Sequence, residues 1–184
     1  MKKITINGSL LALLFSLNSL ADSVDVDINS DTIKGQYNLG DKTTDLGISA
    51  SAMLTDDKGE VLALTARTQG KLNSQQDFRG GFGGRVYHAS PDQGDSFQSL
   101  AIGGYLDMTI PKLTELTVGV EVYYAPGITS TDDVDNFREM NFRATYQLFE
   151  NAAIYGGLRY LEVEENDFDY EFDEGAHVGF TLQF

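Results

Sequence analysis

The 184-residue chain has no cysteine, no tryptophan, three prolines, and only 13 lysines and arginines against 28 aspartates and glutamates. Without cysteine, disulfide frameworks and thiolate metal sites are excluded. A formal net charge of −15 argues against nucleic acid as a partner, because nucleic-acid binding depends on neutralising phosphates. After residue 21 there is no apolar run of the ~20 residues that a transmembrane helix needs. If the chain spans a membrane, it must therefore do so as a closed β-barrel.

The first 21 residues have the composition of a secretory signal peptide. Met1-Lys2-Lys3 is a short positive segment, residues 4–17 are mostly apolar, and Ser19-Leu20-Ala21 supplies small residues before a cleavage site. An uncleaved N-terminal anchor is the alternative, but the apolar stretch is shorter than the ~20 residues of a span. We expect removal of residues 1–21 and one barrel domain at residues 22–184. Loss of two lysines would take the formal charge from −15 to −17.

The rest of the sequence alternates apolar and polar residues, which is the pattern of β-strands. From the third strand onward the apolar residues fall at even positions, as in Val118 and Val120. A switch of parity between Ile28 and Ile33 requires a tight turn or a bulge at residues 29–31. A turn gives ten strands, which we favour, and a bulge or an N-terminal segment outside the barrel gives eight or nine. The candidate strands are residues 23–29, 32–39, 43–54, 60–70, 78–88, 97–109, 115–125, 136–148, 152–163 and 175–184.

The C-terminal residues favour a location in the outer membrane of a Gram-negative cell. Val178, Phe180, Leu182 and Phe184 share one face of a terminal strand that ends on an aromatic residue. Ends of soluble proteins usually fray, whereas this pattern suits a strand with lipid on one side and a lumen on the other. It resembles the C-terminal assembly signal of bacterial outer-membrane barrels. We predict an all-β fold: a closed antiparallel up-and-down transmembrane β-barrel of eight to ten strands.

The polar face of the strands would line the lumen, because membrane barrels are apolar outside and polar inside. It carries five of the six arginines. The near balance of cations and anions on this face favours a plug of ion pairs over a charge-selective pore. In a soluble barrel the same alternation would bury the apolar face instead, and periodicity alone does not separate the two. The predicted lumen charge network consists of Arg67, Arg79, Arg85, Asp107, Glu121, Glu139, Arg143 and Arg159.

The loops expected at the external end are acidic, above all residues 164–174. Such loops would repel lipopolysaccharide phosphates unless divalent cations bridged the two, and they would attract cationic ligands. Within them, acidic residues alternate with aromatic residues 168, 170 and 172, which we expect to pack over the barrel mouth. The carboxylates at alternate positions are candidate calcium ligands, although their spacing is not that of an EF-hand. They are Asp167, Asp169, Glu171 and Asp173.

Catalytic motifs are missing from the sequence, which has two histidines and neither a Gly-x-Ser-x-Gly elbow nor a phosphate-binding loop. We expect no enzymatic activity and no cofactor. The expected partners are outer-membrane lipid, lipopolysaccharide and the barrel-assembly machinery. The first functional hypothesis is a structural or narrow-channel, porin-like barrel with a charged lumen. The alternatives are a surface-interaction barrel that acts through acidic external loops and a soluble periplasmic β-barrel that binds an apolar ligand.

Three segments resemble the YfaZ family of small predicted outer-membrane proteins from Gram-negative bacteria. They are residues 54–61 (LTDDKGEV), 121–126 (EVYYAP) and 155–161 (YGGLRYL). The similarity spans most of the mature chain and implies a barrel fold and an outer-membrane location. It implies no substrate and no catalytic residues. Because tryptophan is absent, tyrosine and phenylalanine would have to form the aromatic girdles.

Overall fold

A computed structural model describes residues 23–39, 45–73, 78–92, 94–131, 134–165 and 168–184. The predicted signal peptide lies outside the described residues. Among those residues, no helix is long and apolar enough to cross a membrane. The strands are β1 (Ser23–Ile28), β2 (Thr32–Leu39), β3 (Leu46–Thr55), β4 (Gly59–Thr68), β5 (Gly70–Asn73), β6 (Phe78–Ser90), β7 (Phe97–Ile110), β8 (Leu113–Pro126), β9 (Val134–Phe149), β10 (Ala152–Glu165) and β11 (Phe168–Gln183), with a short 3₁₀ helix at Gly127–Thr129 between β8 and β9.

These eleven segments make ten barrel strands, because β4 and β5 are two parts of one strand interrupted at Gln69. Both parts pair with β6. Strands that follow one another in sequence pair antiparallel, and β1 pairs with β11 to close the ring. The all-β, closed, up-and-down fold is therefore confirmed, and so is the favoured count of ten strands.

The first turn decides the strand count. The backbone N–H groups of Asp31 and Thr32 donate to the side-chain Oδ1 of Asn29 at 2.8 and 2.6 Å, and Ile28 pairs directly with Ile33. Asparagine stabilises tight turns in this way, because its side chain replaces a backbone hydrogen-bond partner. The parity switch is thus a turn between two strands and not a bulge within one.

The register of the strands sets the width of the barrel. Starting at Ile28, each residue can be followed to its register partner on the next strand. One direction around the ring reaches Ser90, and the other reaches Phe78. These two residues lie twelve positions apart on β6. With a rise of about 3.3 Å per residue and strands about 4.8 Å apart, this stagger tilts the strands by about 40°. The backbone then has a radius of roughly 10 Å, so side chains from opposite walls meet inside.

The apolar face of the strands lies on the outside. Large apolar side chains form an exposed belt around the barrel, with Phe82 74% and Ile102 71% accessible. Val178, Phe180 and Leu182 belong to this belt, and Phe184 is exposed at its terminal edge. This arrangement is the opposite of what the soluble alternative requires, since a soluble barrel would bury that face.

The wall of the barrel is uneven in height. β1 and β2 have six and eight residues, whereas β9 and β11 have sixteen each. The prediction of a loop at residues 164–174 was wrong, because β10 continues to Glu165 and β11 begins at Phe168. Alternation of acidic and aromatic residues is itself a strand pattern, since successive side chains point to opposite faces. The β10–β11 hairpin therefore rises above the β1–β2 turn.

Candidate functional site in the barrel lumen

Five charged side chains meet in one layer across the middle of the lumen. We call this set, made of Lys34, Arg67, Arg85, Glu121 and Glu139, the charge layer. Arg85 bridges the two carboxylates, with Nη1 2.5 Å from Glu139 and Nη2 2.7 Å from Glu121. Arg67 lies 2.6 Å from the same oxygen of Glu121, and Lys34 lies 3.2 Å from Glu139. Three cations therefore share two carboxylates.

Neighbouring side chains complete the coordination of the central Arg85. Its Nε donates to the Thr65 hydroxyl at 2.7 Å, and its guanidinium lies 3.9 Å above the ring of Tyr123. The Tyr87 hydroxyl donates to Glu139 at 2.5 Å. Buried ions are tolerated only when further hydrogen bonds satisfy their remaining donors and acceptors. These contacts meet that condition for a guanidinium that is 2% exposed.

A second set of buried ions lies where the barrel closes. Arg159 on β10 pairs through Nη1 with Asp27 on β1 at 2.8 Å and through Nε with Asp173 on β11 at 2.5 Å. Asp173 also accepts from the Thr32 hydroxyl at 3.1 Å and from the side-chain amide of Asn29 at 2.6 Å. We call Arg159, Asp27 and Asp173 the seam cluster. It joins the first strand to the last two.

The structure divides the eight predicted lumen residues among three places. It brings Arg67, Arg85, Glu121 and Glu139 together in the charge layer and puts Arg159 in the seam cluster. The remaining three line the lumen nearer the chain termini, where Arg79 and Asp107 are register partners. There the Arg143 guanidinium is 3.8 Å from Asp25 and 4.8 Å above the ring of Tyr155. Asp173, which was expected in an external loop, is buried inside the barrel.

Beyond the charge layer, away from the termini, the lumen is filled by an apolar core that we call the apolar cap. The ring of Phe137 lies at its centre, 4.5 Å from Tyr87, 5.7 Å from Phe97 and 6.3 Å from Phe172. The cap consists of Met53, Val61, Ala63, Tyr87, Ala89, Phe97, Ala101, Tyr123, Ala125, Val134, Phe137, Leu161, Val163 and Phe172, with Tyr170 packed against it.

The tall β10–β11 hairpin closes over this cap. The Tyr170 ring packs 5.0 Å from Phe172, and its hydroxyl donates to the carbonyl of Lys58 in the β3–β4 turn at 2.7 Å. The expected packing of aromatic side chains over the mouth is confirmed for these two residues, while the side chain of Phe168 lies outside the described residues. Because only β1 and β2 separate β11 from the β3–β4 turn, this contact bridges the low part of the wall above the β1–β2 turn.

The outer wall becomes polar toward the external end of the apolar cap, beyond the exposed Leu62, Leu100 and Met140. Glu60, His88, Gln98 and Arg138 are exposed there. The guanidinium of Arg138 donates to Glu162 and holds the pKa of that carboxyl below its ordinary value. The barrel thus changes polarity along its axis: it is apolar outside and polar inside around the charge layer, and polar outside and apolar inside at its external end.

The sequence did contain a signal for the apolar cap. Near the external strand ends both parities become apolar, as in Val61-Leu62-Ala63-Leu64 on β4. Strands that are apolar on both faces are typical of packing on two sides. The rule that apolar residues face outward and polar residues face inward, applied to the whole strand, concealed this change.

On the side of the termini, a polar cavity of about 470 Å³, which we call the vestibule, extends from Arg67 of the charge layer. Its lining reaches Ser23 and Gln183, at the ends of β1 and β11, so it extends to the end of the barrel. Amide and hydroxyl side chains make up much of its wall. These include Gln36, Asn38, Ser49, Thr109, Thr117, Thr145, Gln147 and Thr181.

The candidate calcium ligands are not gathered into one site. Glu171 is exposed, whereas Asp173 is buried in the seam cluster. Asp167 and the side chain of Asp169 lie outside the described residues. In the described part of the chain, no group of three or more histidines and carboxylates is arranged to hold a metal ion.

A comparison against protein families identifies the family of this chain. A family model described as YfaZ precursor matches residues 1–184. The chain belongs to the YfaZ family. A solved structure of the KdgM porin in complex with disordered oligogalacturonate is also similar to this YfaZ-family chain, with 15% identity and a TM-score of 0.47, covering 90% of this chain and 99% of that one. A comparison with curated proteins gave no match.

Proposed function

We propose that this YfaZ-family chain is a non-enzymatic protein of the Gram-negative outer membrane, exported by a cleaved signal peptide, with a structural or narrow-channel role. The observation that carries the proposal is the reversal of polarity along the barrel. An exposed apolar belt around a polar, charged lumen suits lipid, and a polar wall around an apolar core suits water. The termini would then lie in the periplasm, and the apolar cap would stand outside the cell.

The filled lumen supports a plugged barrel rather than an open pore. The vestibule ends at the charge layer, and the apolar cap occupies the space beyond it. Ions crossing the barrel would have to separate the Arg85–Glu139 pair and then pass between packed aromatic rings. Both steps are costly, because each exposes buried charge or places an ion among apolar groups. Any conductance would therefore be small and intermittent.

The first test of this proposal is location. Cells expressing the chain are fractionated, and the outer-membrane fraction is run on SDS gels with and without boiling. A band in that fraction whose mobility changes on boiling supports a closed membrane barrel. A periplasmic band that is released without detergent contradicts the proposal.

The second test is conductance in planar bilayers. The wild type should give few, small openings, and Glu121→Ala should raise their frequency, because it removes a carboxylate that binds Arg67 and Arg85. Glu164→Gln is the matched control, since its carboxylate contacts Arg138 on the outer wall. A large, steady conductance of the wild type would contradict a plugged lumen.

A second candidate function is binding of partners at the cell surface through acidic residues. It is favoured by the tall β10–β11 hairpin, which presents Glu164, Glu171 and Glu174 on its outer side. Deleting residues 164–174 would also remove Phe172 from the apolar cap and Asp173 from the seam cluster. Changing the three glutamates to glutamine is therefore the sharper test. Unchanged binding of cationic ligands or lipopolysaccharide by that variant would argue against this function.

A further inference from the structure

We propose that the vestibule is a binding site for a small hydroxylated anion, such as a sugar phosphate or a sugar acid, that enters from the end carrying the termini. This goes beyond a structural or channel role, because it assigns the lumen a ligand that binds without crossing the barrel. A volume of about 470 Å³ lies within the range of small-molecule sites, roughly 300–1,000 Å³. The charge layer closes its inner end, so the site is a pocket with one mouth.

The charge of the lining points to an anion. Among the described residues that line the vestibule, the cations are Arg67, Lys71, Arg79 and Arg143, and the acids are Asp25 and Asp107. Four cations against two acids is the reverse of the chain as a whole, which carries −15. A cavity of one sign with low-dielectric walls concentrates ligands of the opposite sign.

Arg143 is the residue best placed to meet such a ligand. Its side chain is 38% exposed, and its nitrogen lies 3.8 Å from Asp25, which is a loose ion pair. Arg67 and Arg85, by contrast, are bound at 2.6 and 2.7 Å to Glu121. A planar guanidinium that stacks on Tyr155 is held in position and presents its N–H edge to a carboxylate or phosphate.

A smaller recess of about 40 Å³ continues from the vestibule toward the charge layer. Its lining includes Tyr105 and Asn141, the cations Arg67 and Arg143, and the acids Asp107 and Glu121. Arg67 stacks 4.2 Å from the Tyr105 ring. The buried Oδ1 of Asn141 has no hydrogen-bond partner among the described residues. Two guanidiniums offer hydrogen bonds to an anionic group, and an amide oxygen requires a donor such as a hydroxyl. A ligand that carries both an anionic group and a hydroxyl would hydrogen-bond to the guanidiniums and to the amide oxygen.

The rest of the wall suits the body of the same ligand. Amides and hydroxyls from Gln36, Asn38, Thr117 and Thr181 both donate and accept hydrogen bonds. These side chains already hydrogen-bond to other groups of the wall, and a hydroxylated ligand can use their remaining donors and acceptors. A metal cation would be repelled by the excess of basic residues. Sugar hydroxyls match this wall.

The test uses isothermal titration calorimetry on the full barrel refolded in detergent, with glucose 6-phosphate, glucuronate and glucose as probes. We expect at least one anionic sugar to bind and glucose to bind at least tenfold more weakly. A response to glucose 6-phosphate alone would identify a phosphate site, and a response to glucuronate alone would identify a carboxylate site. Absence of binding by both anions, or equal binding of glucose, would overturn the proposal.

Two lumen variants and a matched arginine control locate the site. Arg143→Gln should weaken binding of the anion at least tenfold, while Arg138→Gln, on the outer wall, should leave it unchanged. Thr145→Glu adds a carboxylate to the vestibule wall without removing an ion-pair partner, and it should weaken binding even if Arg143→Gln fails to fold. A mobility change on boiling reports folding of each variant. Wild-type affinity in a folded lumen variant would overturn the assignment, whatever the conductance experiment shows.

Discussion

Replacing Glu139 with glutamine removes one of the two carboxylates that neutralise the charge layer while keeping the size of the side chain. Glu139 is 3% exposed and binds Lys34, Arg85 and the Tyr87 hydroxyl. After the change, Arg85 keeps Glu121 at 2.7 Å, but the carboxylate that faces Lys34 is gone. The main consequence is an uncompensated ammonium group inside the barrel.

The size of the effect follows from the burial of these ions. Removing one partner of a buried ion pair destabilises a protein by about 3–5 kcal/mol. We expect Glu139→Gln to lower the free energy of unfolding by about 3 kcal/mol, the lower end, because Arg85 retains a carboxylate. Adding Lys34→Met should recover part of this loss, since it removes the uncompensated charge, and contacting residues commonly couple by about 0.5–3 kcal/mol.

The assay is urea unfolding of the barrel refolded in detergent micelles, followed by circular dichroism. Glu164→Gln is the control, because its carboxylate is 34% exposed and surface ion pairs contribute only about 0–1 kcal/mol. The reasoning is refuted if Glu139→Gln costs no more than this control. It is also refuted if Lys34→Met adds a further loss to Glu139→Gln instead of a recovery.

Three further predictions concern the cap, the wall and the outer surface. Phe137→Ala should destabilise the barrel by about 3–5 kcal/mol in urea unfolding, and exposed Phe142→Ala should cost far less; equal losses would contradict a packed cap. Gly103→Ala should block refolding, scored as loss of the heat-modifiable band, because a Cβ there would lie 2.0 Å from a carbonyl oxygen of the next strand; normal refolding would show that the wall can shift. Arg138→Gln should raise the pKa of Glu162 toward its ordinary value in an NMR titration. In the wild type, the stabilisation from this pair is present at neutral pH and is lost as the pH falls through the depressed pKa of Glu162. An unchanged pKa in the variant would exclude Arg138 as the cause.

Much of the fold follows from alternation alone. Parity identified which residues face outward, as for the belt residues Val178 and Phe180, and which face inward, as for Arg85 and Glu139. The sequence allowed either a turn or a bulge at residues 29–31, because both change which positions of the strand are apolar. Only the hydrogen bonds of Asn29 separate them, and these depend on local geometry that the order of residues does not specify.

The sequence did not predict which charged side chains pair with one another inside the lumen. Arg85 and Glu139 are 54 positions apart, and their contact depends on a stagger of twelve residues that no single strand encodes. The position of Asp173 was missed because residues 164–174 were expected to form a loop. Asp173 keeps the inward parity of His177, and the bulge near Leu161 changes parity only beyond it, at Phe172 and Tyr170. The apolar cap was missed because the inside–outside rule for lipid was applied to wall segments that stand above it.

The closure of the ring has a consequence for the order of folding. Among the described residues, β1 pairs with β11 through residues 23–28 and 178–183. The seam cluster forms only when β1, β10 and β11 are together. Contacts between residues so far apart in sequence form slowly, because loop closure must precede them. Until β11 arrives, the preceding strands make a sheet with two unpaired edges, which is prone to aggregation. The interval between synthesis and closure is therefore when this chain is most exposed to aggregation.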